Sequence, residues 1–347
     1  MDRRRYLVLA SLGVAGLAGC TGDEDPELVT ETESEERTDT EGDSTDDTAT
    51  TEDGTATDGE TESAPDAVDA VVGDLVEGDQ MSLVVESFER GADLGEFAEP
   101  DSGNEFVQVE MALKNTSSEY VSVSNLLQTR LRDDEDYQYD QTVGGSETRV
   151  FNGGQFAPGE VERGAIPFEL PTDAAGLRLV FDFTVSVFGG VDRATIDLTS
   201  EADQIHRLEQ ELQVDVYSPG ETVADGDVET TLEEFRTESS LGEFAQPDDG
   251  NEYGIVDISI RNDTGEEKQF STLLQMMLKD GEGYTYQEDL TATSQLDRAF
   301  DEGTPLSDGE TRRGELVYEI ESGLSPLYWA FEFAVFATGN KTFWELQ

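Results

Sequence analysis

The chain has 347 residues, with 80 Asp and Glu against 21 Lys and Arg and a formal net charge of -59. A surface this negative repels phosphate, which excludes nucleic acid as a partner. The single cysteine, Cys20, excludes an internal disulfide and a cysteine-based metal centre, and the single histidine, His206, excludes a multi-histidine metal site. At about 100–200 residues per domain, the length predicts two domains.

Acidic residues occur along the whole chain, and only four of the basic residues are lysines. A folded domain with this excess of negative charge repels itself at low ionic strength. At molar salt the Debye length falls to about 3 Å, and the repulsion is screened. The composition resembles that of halophilic archaeal proteins and favours a high-salt environment over an ordinary acidic surface.

Residues 1–20 read as a signal peptide that ends in a lipobox. Arg3 and Arg4 begin a basic segment that resembles a twin-arginine export signal, and an apolar stretch too short to span a bilayer follows it. Leu-Ala-Gly then precedes Cys20, as expected of a cysteine that becomes a lipidated N-terminus. We therefore expect an extracellular lipoprotein whose Cys20 lipid holds it on the outer face of the cell membrane.

Residues 21–67 form an acidic Thr/Asp/Glu-rich linker. Between Thr21 and Asp66 the chain carries 19 carboxylates and almost no large apolar side chain. Such a segment cannot bury enough apolar surface to offset its ordering entropy, so the sequence predicts a disordered stalk. Its like charges should extend it away from the membrane.

The rest of the chain is an internal duplication. Leu-Gly-Glu-Phe-Ala at 94–98 recurs at 241–245, and Leu-Leu-Gln at 126–128 recurs at 273–275. Arg163-Gly164 is matched by Arg313-Gly314 after a three-residue insertion. A period of about 150 residues indicates two whole domains, since solenoid repeats are about 20–50 residues long.

The pattern of each copy predicts a β-domain. In the second, Val256, Ile258 and Ile260 alternate with polar residues, and turn signals separate several such runs. The sequence therefore predicts an all-β fold of two tandem immunoglobulin-like β-sandwiches, at 68–199 and 213–347. Residues 200–212, which include His206, have a helical pattern and are expected to form a connecting helix.

The order of turn and strand motifs in both copies resembles the DUF4352 family of telokin-like, immunoglobulin-like extracellular domains. In the second copy the motifs are Pro-Gly-Glu-x-Val at 219–223, Gly-Asn-Glu-Tyr at 250–253, Asp-Gly-x-Gly-Tyr at 280–284 and Gly-Glu-x-x-x-Gly at 309–314. The first copy lacks the opening proline. These are turn and core residues, so the resemblance implies the fold and carries no catalytic residue with it.

Two kinds of candidate site repeat in both copies. Asn115 and Asn262 begin N-glycosylation sequons at equivalent positions, and Asn340 begins a third; asparagine favoured simply by a turn is the alternative. An oxygen-rich turn also recurs in both copies, and its weak calcium candidates are Asp101, Glu105, Asp248 and Glu252. A tight turn without metal is the preferred interpretation.

Paired tyrosines, Tyr137/Tyr139 and Tyr284/Tyr286, follow an acidic turn in each copy. Alternation in a strand would put both members of a pair on one face, where sheet packing is a better interpretation than recognition.

The sequence contains no nucleophile elbow, phosphate-binding glycine loop or zinc-binding His-Glu-x-x-His helix, so we expect neither an enzyme nor a cofactor. The leading hypothesis is a non-catalytic interaction module whose partner is an unknown envelope protein or glycan. A small-solute or cation-binding accessory lipoprotein and a structural spacer of the envelope are the alternatives.

Overall fold

The computed structural model describes residues 67–95, 98–124, 128–142, 149–182, 193–333 and 340–347. All of these belong to one compact unit, Thr61–Gln347, which holds both copies of the repeat. The chain is all-β, as predicted, with two tandem sandwiches that we call repeat 1 and repeat 2. Among the described residues, no helix is both long and apolar enough to cross a membrane.

Repeat 1 contains eleven strands. They form a five-stranded sheet in the order β1-β11-β10-β6-β7, a four-stranded sheet in the order β2-β3-β4-β9, and a short β5-β8 pair. The strands are β1 Ala67–Val72, β2 Leu75–Glu77, β3 Met81–Arg90, β4 Asn104–Asn115, β5 Val121–Val123, β6 Thr129–Arg132, β7 Gln138–Tyr139, β8 Gly154–Phe156, β9 Val161–Pro171, β10 Arg178–Asp182 and β11 Arg193–Glu201.

Repeat 2 has the same topology. Its five-stranded sheet runs β12-β20-β19-β16-β17, and its four-stranded sheet runs β13-β14-β15-β18. The elements are β12 Val216–Tyr217, β13 Thr222–Asp225, β14 Val228–Glu238, β15 Asn251–Asn262, α1 Thr272–Gln275, β16 Met276–Asp280, β17 Thr285–Tyr286, α2 Leu290–Thr293, β18 Thr311–Glu321, β19 Leu327–Glu332 and β20 Lys341–Glu345.

The core of each repeat lies between its two sheets. Along β15, Val256, Ile258 and Ile260 point inward and are fully buried, as their alternation predicts. They pack on Trp329 and Trp344 of the opposite sheet. In repeat 1 the corresponding core is built from aliphatic and phenylalanine side chains. Each repeat therefore closes its own hydrophobic core.

An aspartate organises the same hairpin in both repeats. In repeat 1, one carboxylate oxygen of Asp133 accepts from the backbone N–H of Tyr137, at 2.9 Å, and the other accepts from the Tyr139 hydroxyl, at 2.8 Å. Asp280 holds Tyr284 and Tyr286 in the same way, at 3.0 Å in each case. The repeated Asp and Tyr motif is thus a turn that is fixed by its own side chains.

The first tyrosine pair lies together, as expected of two residues on one face. The rings of Tyr137 and Tyr139 are in edge contact, with their centroids 5.0 Å apart. Tyr139 lies in β7 and is buried, whereas Tyr137 is 63% exposed. Sheet packing therefore describes Tyr139, and Tyr137 covers its ring from the solvent side.

The connecting helix expected at 200–212 is absent. β11 continues to Glu201, and residues 202–212 form no regular secondary structure. Their backbone donors are instead used by repeat 1: the N–H of His206 donates to Gly73, and that of Glu211 donates to Gly159. Tertiary hydrogen bonds thus replace the local ones that a helix would make, and this segment lies along repeat 1.

Gly314 in β18 and its counterpart Gly164 in β9 lie where a neighbouring segment crosses the strand. A Cβ on Gly314 would lie 2.7 Å from the backbone nitrogen of Phe300. We expect Gly314→Ala to destabilise the protein by at least about 1–3 kcal/mol, because backbone cannot move aside as a side chain can. Urea unfolding would measure this change.

Gly303→Ala is the matched control. A Cβ there would have a carboxylate oxygen of Asp301 at 3.4 Å as its nearest contact, and we expect a change within about 0.5 kcal/mol. Equal effects of the two substitutions would contradict the crowding argument.

Candidate functional site

The two repeats meet along an extensive junction. The start of β9 in repeat 1 lies against the outer face of the five-stranded sheet of repeat 2, the face opposite its core. At the centre, Ala157 packs with Met277, Ala330 and Phe343. Tyr120, Leu212, Val214 and Tyr328 surround this small apolar cluster.

Five ionisable side chains are buried beside the apolar centre, and we call them the junction cluster: Glu160, Glu162, Lys279, Glu332 and Lys341. The Nζ of Lys341 lies 2.6 Å from Glu160 and 3.6 Å from Glu332. Lys279 pairs with Glu162 and lies 3.3 Å from Glu160. Lys279, Lys341 and Glu332 belong to repeat 2. Glu160 and Glu162 belong to repeat 1, so the ion pairs that these two glutamates make cross the junction.

Burial and charge act in opposite directions within the junction cluster. Burial raises the pKa of Glu160, but the adjacent charges of Lys341 and Lys279 outweigh it, so the pKa of Glu160 is lowered. Burial lowers the pKa of Lys341, yet Glu160 and Glu332 raise it further than burial lowers it. Burial dominates at Glu332, whose pKa is raised. Two lysines thus face two glutamates that repeat 1 contributes, whereas at Glu332 the effect of burial exceeds that of Lys341.

Hydrogen bonds extend the junction away from the cluster. The backbone N–H of Arg163 donates to the carbonyl of Gly283, at 2.9 Å. The Tyr284 hydroxyl donates to a carboxylate oxygen of Glu110, at 2.6 Å. On the far side, the Tyr120 hydroxyl donates to the Lys341 carbonyl, at 3.0 Å. Together these bonds join the two sandwiches through backbone as well as side chains.

A cleft of about 660 Å³ opens at one end of the junction. Its walls include Tyr120 of repeat 1, Tyr217 and Asp225 of repeat 2, and Val214 of the segment between them. Its lining therefore comes from different parts of the two repeats, not from the same positions in each.

Two of the three sequon asparagines are structural. Asn115 is fully buried, and its side-chain amide donates to the carbonyls of Glu119, at 2.7 Å, and Phe156, at 3.1 Å. Asn262 makes the equivalent bonds to Glu266 and Leu306. In the folded chain both side-chain amides are therefore covered and their hydrogen bonds are used within the protein.

The serine and threonine of these sequons also have a structural role. Ser117 and Thr264 each donate a hydroxyl hydrogen bond to the asparagine side-chain oxygen two residues earlier, at 2.8 Å and 2.7 Å. The recurring pattern is a side-chain-closed turn. The sequon at Asn340 differs, because Asn340 is exposed and its side-chain amide donates to a carboxylate oxygen of Asp225, at 2.9 Å.

The weak calcium candidates do not converge. Glu105 accepts from Arg90, and Glu252 accepts from the backbone of Gly323. The carbonyls of Asp101 and Asp248 close tight turns with the backbone N–H groups of Asn104 and Asn251, which is the interpretation preferred from the sequence. Within the described residues, no group of three or more His, Cys, Asp or Glu is arranged to hold a metal ion.

Cys20, Arg3 and Arg4 lie outside the described residues, and so do residues 21–66 of the linker.

The junction cluster was not foreseen from the sequence. One signal was present: the chain has only four lysines, and two of them, Lys279 and Lys341, are in the cluster. In a chain whose surface avoids lysine, a lysine inside a β-strand deserves to be tested as a buried ion-pair partner.

Comparison with known proteins gives a family. Residues 70–191 and 217–341 match the family model described as "Domain of unknown function (DUF4352)". No curated protein matches the chain.

Several solved structures resemble part of the chain. A conserved hypothetical protein from Bacillus anthracis is 23% identical, covering 33% of this chain and 87% of that one with a TM-score of 0.29. The yjhA protein from Bacillus subtilis is 16% identical, covering 37% and 99% with a TM-score of 0.30. An uncharacterized beta-sandwich protein from Clostridium difficile 630 is 15% identical, covering 40% and 98% with a TM-score of 0.28.

Removing one member of the junction cluster should be far more damaging than removing an exposed ion pair. We expect Lys279→Met to destabilise the protein by about 3–5 kcal/mol, because Glu162 is left buried without its charge partner. Arg261→Met breaks an exposed pair with Asp263 and should cost about 0–1 kcal/mol. Urea unfolding at constant salt compares the two, and similar losses would contradict a buried ion pair.

The opposite pKa shifts of Glu160 and Glu332 predict opposite pH dependences. For Glu160, whose pKa is lowered, the stabilisation is present above the ordinary value of 4.5 and is lost as the pH falls through the folded value. For Glu332, whose pKa is raised, the contribution is present below 4.5 and is lost as the pH rises through the folded value.

The test subtracts the unfolding free energies of Glu160→Gln and Glu332→Gln from that of the wild type between pH 7 and pH 3. The wild-type advantage over Glu160→Gln should shrink with acidification, while its difference from Glu332→Gln should move in the wild type's favour. Parallel curves would contradict the assigned shifts.

Proposed function

The chain belongs to the DUF4352 family, and we propose that its two tandem domains act as a non-catalytic interaction module held at the cell surface by a lipid on Cys20. The observation that carries this proposal is the junction. There, the outer face of the repeat 2 five-stranded sheet already binds another protein surface, the edge of repeat 1.

The chemistry of that face is typical of protein recognition. A small apolar centre is surrounded by charged groups that pair across the contact, and the partner supplies carboxylates to two lysines. In this chain one domain therefore binds the edge of its neighbour through its sheet face. We extend this mode of binding from the internal contact to an external envelope partner, a protein or a glycan.

The sequence supports the location. Arg3 and Arg4 with the following apolar segment support twin-arginine export, and the lipobox supports anchoring through Cys20. The acidic linker would hold the two sandwiches away from the membrane. The net charge of -59 supports function in molar salt in a halophilic archaeon.

Glycosylation, where it occurs, is expected at Asn340. A twin-arginine substrate reaches the outside already folded, so only an asparagine that is exposed in the folded chain is accessible. Asn340 is exposed, whereas Asn115 and Asn262 are fully buried.

A second candidate function, small-solute binding, is favoured by the cleft beside Tyr120 and Tyr217. It ranks below the interaction module because the cleft lies at the junction and its described lining comes from different positions of the two repeats. A solute-binding duplication would be expected to keep one pocket in each copy.

Cross-linking in intact cells in native brine, followed by capture and mass spectrometry, tests the proposal. A carboxylate-directed reagent is required, because two of the four lysines, Lys279 and Lys341, are buried. We expect one abundant, reproducible envelope partner. The matched control is Cys20→Ser, which should reach the medium and lose that partner. A wild-type protein that remains on the membrane without a specific partner would overturn the proposal and favour a solute binder or a spacer.

A further inference from the structure

The outer face of the five-stranded sheet in repeat 1 carries a cluster of arginines. The described residues hold 17 lysines and arginines in all, and four arginines project from this one face: Arg130, Arg132, Arg178 and Arg193. Their neighbours along each strand, Leu131, Leu179 and Ala194, point into the core and are fully buried, which fixes the arginines on the opposite side. In a chain with so few cations, four arginines on one face provide several hydrogen-bond donors for the carboxylates of a partner.

This outer face of repeat 1 is the counterpart of the outer sheet face of repeat 2, which the edge of repeat 1 covers at the junction. Strand register establishes this: Arg178 pairs with Arg132 in repeat 1, and Tyr328 pairs with Lys279 in repeat 2. Likewise Asp182 pairs with Arg193, and Glu332 pairs with Lys341. Arg132 and Arg193 therefore occupy the strand positions of the two lysines that bind Glu162 and Glu160 across the junction.

The rest of the face is partly alike. Val180, at the centre, takes the position of Ala330, which lies in the apolar centre of the junction. Asp182 takes the position of Glu332 beside the second cation. The two faces thus share one central apolar residue, two cations and one carboxyl in the same arrangement, whereas Arg130 and Thr195 replace Met277 and Phe343.

The cations of the two faces differ in solvent exposure. The side chains of Arg132 and Arg193 are 39% and 51% exposed, whereas those of Lys279 and Lys341 are 0% and 4% exposed. The Nε of Arg132 is buried and has no hydrogen-bond partner among the described residues.

Four aspartates share the face with the four arginines, and one of them, Asp69, lies beside Thr195. Asp136 pairs with Arg132, at 3.9 Å, and with Arg178. Asp182 lies 4.0 Å from Arg193. Asp197 is satisfied by hydrogen bonds from Thr199. The junction shows that such a neighbour does not prevent docking, because Glu332 lies beside Lys341 and the contact still forms.

A second copy of the chain does not supply the right edge. Glu310 of repeat 2 corresponds to Glu160, but Arg312 takes the position of Glu162, since Ile260 pairs with Arg312 as Leu113 pairs with Glu162. Docking in the junction geometry would place Arg312 against Arg132. The like charges disfavour a chain of copies and require a partner whose edge carries both carboxylates.

We propose that the outer face of the repeat 1 five-stranded sheet, centred on Arg132, Val180 and Arg193, is a docking surface for the edge of a β-sandwich domain of another protein that presents two carboxylates on alternate residues, as Glu160 and Glu162 do. This inference rests on the proposed function, for which it names the surface and the chemistry of the partner. The occupant is a protein edge because the one occupied example of this face, in repeat 2, holds a protein edge.

The first test converts the chain into its own partner. Arg312→Glu places carboxylates at 310 and 312, in the register of Glu160 and Glu162. In the unlipidated full chain (Cys20→Ser), this variant should self-associate about tenfold or more tightly than Arg312→Gln, measured by sedimentation equilibrium in molar KCl. Adding Arg132→Glu should restore the monomer.

Thr311→Glu is the matched control, because it adds a carboxylate to the opposite face of the same strand and should leave the chain monomeric. Circular dichroism would verify that each variant is folded. A folded Arg312→Glu chain that stays monomeric, or an association that survives Arg132→Glu, would overturn the proposal.

A second measurement does not depend on Arg312. The intact-cell cross-linking is repeated with Arg132→Glu combined with Arg193→Glu, and with Arg261→Glu combined with Lys268→Glu, two exposed positions in repeat 2, as a charge-matched control. We expect the first double variant to lose the envelope partner and the control to keep it. A partner that both retain would overturn this docking surface and leave the interaction module itself standing. A wild-type chain that captures no partner would contradict the proposed function instead.

Discussion

The arrangement of the two repeats depends on the ion pairs that Lys279 and Lys341 make with Glu162 and Glu160. Each of these side chains is almost fully buried, so each would cost several kcal/mol if it lost its partner. Buried ion pairs add little net stability compared with an apolar contact of the same size, yet they penalise every arrangement that leaves a charge unpaired. The junction cluster therefore selects one relative orientation of the sandwiches, and the apolar centre around Ala157 and Phe343 supplies the cohesion.

The two copies show what a duplication preserves and what it changes. The buried asparagine turns, the Asp and Tyr hairpins and the crowded glycines recur in both, because each is needed to close a sandwich. The outer sheet faces have diverged: repeat 2 has Met277, Phe343 and two lysines where repeat 1 has Arg130, Thr195 and two arginines. A fully buried cation favours the compact ammonium of lysine, whereas arginine keeps a planar, weakly hydrated fork that suits an exposed carboxylate partner. The substitution pattern thus matches one face that is permanently covered and one that is not.

Local patterns were sufficient to predict the folded framework. Alternation such as Val256, Ile258 and Ile260, with turns at fixed offsets, predicted the sandwiches, and the family match confirmed two tandem domains. The helix at 200–212 failed because its apolar periodicity is local, while its backbone donors are used by repeat 1. The sequons at Asn115 and Asn262 stay open from the sequence because one tripeptide serves both as a glycan acceptor and as a side-chain-closed turn, and in the structure both asparagines are buried in such turns. The junction cluster joins residues more than a hundred positions apart, which no local pattern records.

Molar salt would change which contacts can confer recognition. At a Debye length of about 3 Å, the many surface carboxylates no longer steer a partner over distance, and an exposed ion pair contributes little. What survives is a charge pair at contact distance that is shielded from solvent by its apolar surroundings, as Lys341 and Glu160 are, 2.6 Å apart. Recognition in brine should therefore depend on shape and on a few pairs that become buried on binding. An exposed arginine face around Val180 fits that requirement, because a sandwich edge that covered it would remove the arginines from the screening solvent.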